Sequence, residues 1–223
     1  MEQRFIRNIP AISPEEQSLL RSKSAVIIGC GGLGGYIAEL LARAGLGRLS
    51  LVDGDCFEET NLNRQLYALP ENLGLSKARC AAERVKSIDE SIDVSCFEEF
   101  FSSENAEKIL HGADIVMDAL DNVAARLALE EECAKRGLWL IHGAVEGWTM
   151  QLCSVAPGSG MLRKLYGSAS ASGGKSVISP LPALCASLQC AEAIKILCGR
   201  ASASEGCLLI GDMLSAEFTK IQF

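Results

Sequence analysis

Ala25-Val26-Ile27-Ile28-Gly29-Cys30-Gly31-Gly32-Leu33-Gly34 is the stretch on which the fold turns. Its first four residues are apolar and mostly β-branched, as a strand covered on both faces requires. Glycines follow, and then apolar side chains recur at Ile37, Leu40, Leu41 and Ala44, the spacing of one helical face. Residues 48–52 read as a second strand ending at Asp53, 24 residues after Gly29. This order of strand, glycine turn, helix, strand and acid is the layout of a nucleotide site. Glycines let the backbone approach phosphate, the helix N-terminus supplies N–H donors, and a carboxylate at the next strand end can take ribose hydroxyls. The competing reading, a tight turn without a ligand, is weakened because all of these features coincide. The layout alone does not separate a dinucleotide from ATP.

Outward from that stretch, helical and strand patterns alternate. Helices are expected over 77–88, 106–110 and 123–136, the last with Gly137 as C-cap, and strands over 93–97, 114–119, 139–143 and 151–155. Residues 157–175, rich in Gly and Ser, read as a mobile crossover. Ser179 is expected to cap a helix with Pro180 at its first position, which then runs to Cys198 and stops at Gly199. Residues 207–210 and 217–221 suit two closing antiparallel strands. The expected fold class is α/β, a doubly wound, largely parallel sheet with a Rossmann-like core and antiparallel C-terminal strands. With neither an internal repeat nor a long linker, 1–223 reads as a single domain. Its parts are an N-terminal arm and helix (1–24), a nucleotide-binding core (25–145), and a crossover, helix and closing strands (146–223).

Composition narrows the function classes. The 223 residues are 48% hydrophobic and 22% charged with a formal net charge of −7, so an acidic surface argues against broad nucleic-acid binding. No window of 18 uninterrupted apolar residues suggests a membrane span, and Met1 to Pro10 lacks the apolar stretch of a secretory signal. Ten cysteines contain no C-x-x-C pair, and only His111 and His142 accompany them, so structural zinc is not expected and a reducing, cytoplasmic location is.

The next segment discriminates among nucleotides: Asp53-Gly54-Asp55-Cys56-Phe57-Glu58-Glu59-Thr60-Asn61-Leu62-Asn63-Arg64-Gln65. A nicotinamide-dependent dehydrogenase has no need of an Arg, two Asn and a Gln just beyond its ribose acid, and neither a hydride-transfer acid nor a substrate domain stands out. A nucleoside triphosphate does need cations. Arg64 can supply a planar fork and Lys77 a point charge. The plainer alternative is a polar loop followed by a solvated helix start.

At this point the chain resembles a known family, the ThiF- and MoeB-like adenylyltransferases related to the ubiquitin-activating enzymes. The resemblance covers almost the whole chain. RFIRN (4–8) is similar to the family's Arg-aromatic-x-Arg-Gln, GCGGLG (29–34) to its glycine loop, TNLNRQ (60–65) to its Ser-Asn-Leu-x-Arg-Gln, and Gly74-Leu75-Ser76-Lys77 to its Gly-x-x-Lys. Asp118-Ala119-Leu120-Asp121-Asn122 matches Asp-x-x-Asp-Asn, and LQCAEAIKIL (188–197) matches Leu-Gln-Ala-x-Glu-Ala-Ile-Lys. The resemblance implies that Gly29, Gly31, Gly32, Gly34, Asp53, Asp55, Asn61, Arg64, Gln65, Lys77 and Asn122 hold ATP. Within that set Asp53 takes the ribose, and Asn61, Arg64 and Lys77 take the phosphates. Asp121 would face magnesium (Mg2+), and Arg7 would reach as an arginine finger into the neighbouring subunit of a homodimer. The implied partner is a ubiquitin-like sulfur-carrier protein. Its Gly-Gly carboxylate attacks the α-phosphate, releasing pyrophosphate and leaving as an acyl-adenylate.

The chain also departs from the family. Met161 and Lys164 stand where a first zinc-binding Cys pair would be, and nothing follows the last strand to supply a second pair. The cysteine that forms covalent sulfur links in some relatives would fall near Ser172. Cys185, Cys190 and Cys198 read as buried structural thiols. Cys30, beside a helix N-terminus that can lower a thiol's pKa, reads as packing beside nucleotide. Adenylation without a covalent carrier–enzyme intermediate is the expectation. A tRNA-modifying relative would share the adenylation site, but no basic arm is evident. A non-catalytic relative would lack Arg64, Lys77 or Asp121, and all three are present.

Overall fold

The computed structural model describes residues 2–167 and 176–223. In order, the helices and strands are α1 (Pro14–Ser22), β1 (Ser24–Ile28), α2 (Gly34–Ala44), β2 (Arg48–Val52), α3 (Lys77–Ile88), β3 (Asp93–Phe97), α4 (Ala106–Leu110), β4 (Ile115–Asp118), α5 (Val123–Arg136), β5 (Trp139–Glu146), β6 (Thr149–Val155), α6 (Met161–Tyr166), α7 (Pro180–Leu197), β7 (Cys207–Asp212) and β8 (Glu217–Gln222). One eight-stranded sheet carries them in the order β3-β2-β1-β4-β5-β6-β7-β8. The first five strands in that order pair in parallel, and the pairs from β5 to β8 are antiparallel. This is the expected doubly wound architecture with antiparallel closing strands.

Strand alternation explains why both faces are covered. Ala25 and Ile27 of β1 join a core with Ile37 and Leu41 of α2, Ala81 and Val85 of α3, and Leu181, Cys185 and Cys190 of α7. Val26 and Ile28 point the other way, into a core with Ile109 of α4, Leu129 and Cys133 of α5, and Leu162 of α6. Because side chains leave a strand on alternate faces, a continuous apolar run is what a sheet with helices on both sides demands. Strand order reverses direction between β1 and β4, which opens a crevice at their C-terminal ends, the usual ligand position in such sheets.

Local chemistry sets the helix ends. Ser13 and Glu16 form a capping box at α1, Ser76 caps α3 and Asn122 caps α5, while Gly45 and Gly137 end α2 and α5 in the left-handed region. Two expectations need correction. The crossover contains helix α6, which begins after Gly160 (φ +65) and whose first N–H groups are held by the buried Glu130. Glu130 and Leu162 are 32 residues apart in sequence, so their bond leaves no local signal. Residues 168–175 of that crossover lie outside the described residues, as does Ser172. Ser179 does not cap α7: its backbone is already helical and its side chain accepts no capping bond, although Pro180 does occupy the first turn. In addition, β5 and β6 extend beyond 143 and before 151 to meet at a two-residue turn, where Gly147 takes φ +59.

Candidate nucleotide site

The glycine turn sits at the crevice between β1 and β4. Gly29 follows β1 with φ +96, and a Cβ there would stand 2.6 Å from the Ala119 carbonyl oxygen just past β4. A Cβ on Gly34 would overlap the Gly29 carbonyl oxygen. These two positions therefore admit only glycine, one for both conformation and close approach, the other for close approach alone. Among the described residues no side chain caps the N-terminus of α2, whose Gly35 N–H bonds to the Gly31 carbonyl oxygen at 3.2 Å.

Asp53 locks the turn. Its Oδ2 accepts from the Cys30 N–H at 2.7 Å and its Oδ1 from the Asp55 N–H at 2.8 Å. Burial raises its pKa, and these two bonds and Lys77 only partly oppose that. Each oxygen keeps a further lone pair, which a ribose hydroxyl can use. Lys77 opens α3 with its side chain almost buried, and its Nζ lies 3.1 Å from the exposed carboxylate of Asp55. Lys77 also acts electrostatically on Asp53 and Cys30, which places its charge beside the turn. A phosphate can replace Asp55 as its counter-ion.

The loop after β2 folds back over the turn. Asn61 is buried and forms a reciprocal cap with Glu58, accepting from its N–H at 3.0 Å. Arg64 is half-buried and donates to the Thr60 carbonyl oxygen at 2.9 Å and to Asn63 Oδ1 at 2.8 Å, which fixes the guanidinium at the loop surface. Gln65 is buried with its amide 3.4–3.6 Å from the space a Cβ on Gly31 would fill, and its buried Oε1 finds no hydrogen-bond partner among the described residues. A buried acceptor left unpaired costs free energy, so an orphaned oxygen against the glycine turn fits a site completed by a ligand. At Gly32 the space is ordinary, and a Cβ there would stand 3.8 Å from Pro182 of α7.

Asp121 and Asn122 lie on the turn after β4, two and three residues beyond the contact with Gly29. Asn122 serves as the cap of α5, its Oδ1 accepting from the Ala125 N–H at 2.8 Å, and Asp121 is exposed beside it. Arg7 is not brought to its own chain's turn. It is exposed on the 3-10 segment Gln3–Asn8, whose Phe5 and Asn8 pack at Gly45 and Ala44, the far end of α2 from Gly34. Cys30 is buried in the core, and burial pushes its thiol far above the ordinary range, in keeping with a packing role. Cys185 is likewise buried, its thiol pushed up to about 12, and Cys190 is raised by the same cause.

Beneath Asp121 lies a polar cluster that the local motifs do not reveal. Asp118 ends β4 fully buried, with Oδ2 2.6 Å from His142 Nδ1. His142 Nε2 is 3.0 Å from Tyr166 Oη, and Gln151 Nε2 also bonds to that oxygen. Gln189 of α7 donates to the Asp118 and Ile141 carbonyl oxygens at 2.9 and 3.0 Å, stitching β4 to β5, and Gly143 leaves the space its amide occupies. The sequence signals were the first Asp of Asp-x-x-Asp-Asn, a histidine in an apolar strand and Gln189 of the 188–197 motif, none of which points to Tyr166.

Burial lowers the pKa of His142 and outweighs the opposing hydrogen bond and charge of Asp118; Arg126 lowers it further and Glu130 opposes. The unfolded chain takes up this proton near pH ~6.5, whereas the folded chain resists. Stability from this residue is complete above that pH and falls as pH drops toward the lower folded value. The urea midpoint is expected to decline from pH 7.5 to 5.5, above the carboxylate range. His142→Gln should flatten that decline; an equal decline in the variant would contradict it.

The fold and turn define a nucleotide-binding α/β protein of the Rossmann-like kind. Residues 3–223 match the ThiF family, and the chain belongs to it. It is 31% identical to the SAMP-activating enzyme E1 of Haloferax volcanii, over 99% of this chain and 84% of that protein. It is 32% identical to the sulfur carrier protein adenylyltransferase of Thermus thermophilus, over 96% of this chain and 83% of that one. Among solved structures, E. coli MccB with ATP superposes with a TM-score of 0.83 over 100% of this chain and 72% of that one; at 20% identity the likeness is one of fold.

Proposed function

We propose that this chain is an ATP-dependent adenylyltransferase that activates the C-terminal Gly-Gly carboxylate of a ubiquitin-like sulfur-carrier protein, acting as one domain over its length. The observation that carries this reading is a glycine turn clamped by Asp53, with the Lys77 ammonium beside it and the orphaned Gln65 oxygen against it. Membership in a family whose named relatives include an adenylyltransferase of a sulfur carrier supports it.

The chemistry asks little of general acids or bases. An α-carboxyl group has a pKa of about 3.3–3.7, so the attacking oxygen is ionised at neutral pH. That oxygen forms a bond to the α-phosphorus, the bond from α-phosphorus to the bridging oxygen breaks, and pyrophosphate leaves with the electron pair. The task is to bring anions together and neutralise charge on the transferring group. Asp53 would hold the ribose. Asn61, Arg64 and Lys77 would hold the phosphates, with Asp55 releasing Lys77 to them and Gln65 closing the turn. Magnesium held by Asp121 and the phosphates would neutralise further charge. Arg7 lies remote from its own turn and would serve the partner's site in a homodimer, so the active unit is a pair with two equivalent sites. Cys30 and Cys185 are buried and suit packing, and the reading is of adenylation with no covalent carrier–enzyme link in a reducing cytoplasm.

Incubation with ATP, magnesium and Gly-Gly-ended carriers is expected to yield pyrophosphate and carrier adenylate in equal amounts. Turnover with tRNA in place of every carrier would replace this reading by the RNA-directed one, and tight binding of NAD with none of ATP would remove both.

A further inference from the structure

The turn that bears Asp121 is held by buried groups beneath it. Asp118 Oδ1 accepts from the Leu120 N–H at 3.0 Å, and Arg126 Nη2 donates to the Leu120 carbonyl oxygen at 2.6 Å. Both backbone polar groups of the residue before Asp121 are therefore pinned by buried charged side chains. Those two side chains are in turn fixed by one chain of bonds: Asp118 to His142 Nδ1, His142 Nε2 to Tyr166, and Tyr166 to Arg126 Nη1 at 3.4 Å, with the guanidinium 5.6 Å over the Tyr166 ring.

Donor arithmetic gives this chain a direction. The Gln151 amide nitrogen and the Arg126 guanidinium can only donate, so Tyr166 Oη accepts from both and its single proton goes to His142 Nε2. His142 Nδ1 then carries the ring's hydrogen and donates to Asp118 Oδ2. A neutral imidazole matches both of its neighbours, Tyr166 as donor and Asp118 as acceptor. Glu130, a buried carboxylate on α5, is occupied with the Leu162 and Arg163 N–H groups at the start of α6. Helix α6 is thus held at one end by Glu130 and at the other by Tyr166.

We propose that Asp118, Arg126, His142 and Tyr166 are positioning residues that fix the Leu120 peptide groups, and through them Asp121, and that tie this turn to α6 at the head of the crossover. The catalytic part of this inference rests on the adenylation reading; the part concerning the turn does not. A one-ångström misplacement of a charge-stabilising group can lower a rate by up to about a hundredfold while binding persists.

The test compares wild type, Tyr166→Phe, His142→Gln, Asp121→Ala and the Tyr166→Phe/Asp121→Ala double variant in the full chain at pH 7.5. Amide exchange at Leu120 is expected to quicken about tenfold in Tyr166→Phe and in His142→Gln, with exchange at Ile27 unchanged, since one retaining bond is loosened without global opening. In carrier-dependent ATP turnover, kcat is expected to fall at least about tenfold with KM for ATP within about twofold. The Tyr166 substitution should add nothing once Asp121 is Ala, because both act through one group. Unchanged Leu120 exchange in both variants overturns the proposal, as do losses that multiply in the double variant. Should one variant fail to fold, the other carries the same readout. If wild type adenylates no carrier, the functional reading fails while Leu120 exchange still decides the positioning chain.

Discussion

Arg64→Ala is expected to reduce carrier-dependent pyrophosphate exchange by about a thousandfold or more, with the thermal midpoint unchanged within error. Removing one preorganised donor from a charge-developing centre costs about 10²–10³ in rate, and Arg64 would offer a fork to a phosphate carrying more than one charge. Its contribution to folding is small. Among the described residues the guanidinium bonds only to its own loop, at the Thr60 carbonyl oxygen and Asn63, and it is half-buried. Arg64→Lys should recover little, because an ammonium cannot reproduce the fork. Exchange at the wild-type rate in Arg64→Ala would remove Arg64 from the site, whereas loss of exchange together with a fallen midpoint would make it a structural residue.

Gly34→Ala carries the second large effect, this time through the backbone. The added Cβ would overlap the Gly29 carbonyl oxygen, and Gly29 cannot retreat because it stands against Ala119 while Asp53 holds the next N–H. A methyl group forced against a rigid backbone is expected to cost about 2–4 kcal/mol of stability and to abolish ATP binding. Gly32→Ala is the informative contrast. Its Cβ would meet Pro182 at an ordinary 3.8 Å, so stability should hold within about 0.5 kcal/mol. Weakened ATP binding in that well-folded variant would report phosphate approaching the Gly32 backbone. Tolerance of Gly34→Ala in both assays would contradict the geometry of the turn.

The legible parts of this protein are those fixed by local periodicity and backbone chemistry. The unbroken apolar runs at 25–28 and 115–117 demanded strands with helices on both faces, and the glycines at 29 and 34 announced a turn that a Cβ would block. The motifs also marked Asp53 just past β2 and Lys77 on the first turn of α3, where the doubly wound topology brings strand ends and helix starts to one edge, whereas Asn61, Arg64 and Gln65 lie on the loop between them. Helix α6 was not legible. It depends on Glu130 capping from another helix, and its six residues are flanked by the glycines and serines of a loop.

The sequence by itself therefore determined the sheet, the glycine turn and the chemical types lining it, since these follow from side-chain alternation, steric bulk at Cβ and the order of elements along the chain. Tertiary structure alone decided three things: that Lys77 faces Asp55, that Arg7 sits at the far end of α2, and that Asp118, His142 and Tyr166 join beneath Asp121. The reason is that these contacts link residues from separate elements, and hydrogen bonds of that kind are set by how the layers pack and leave no period or spacing in the chain.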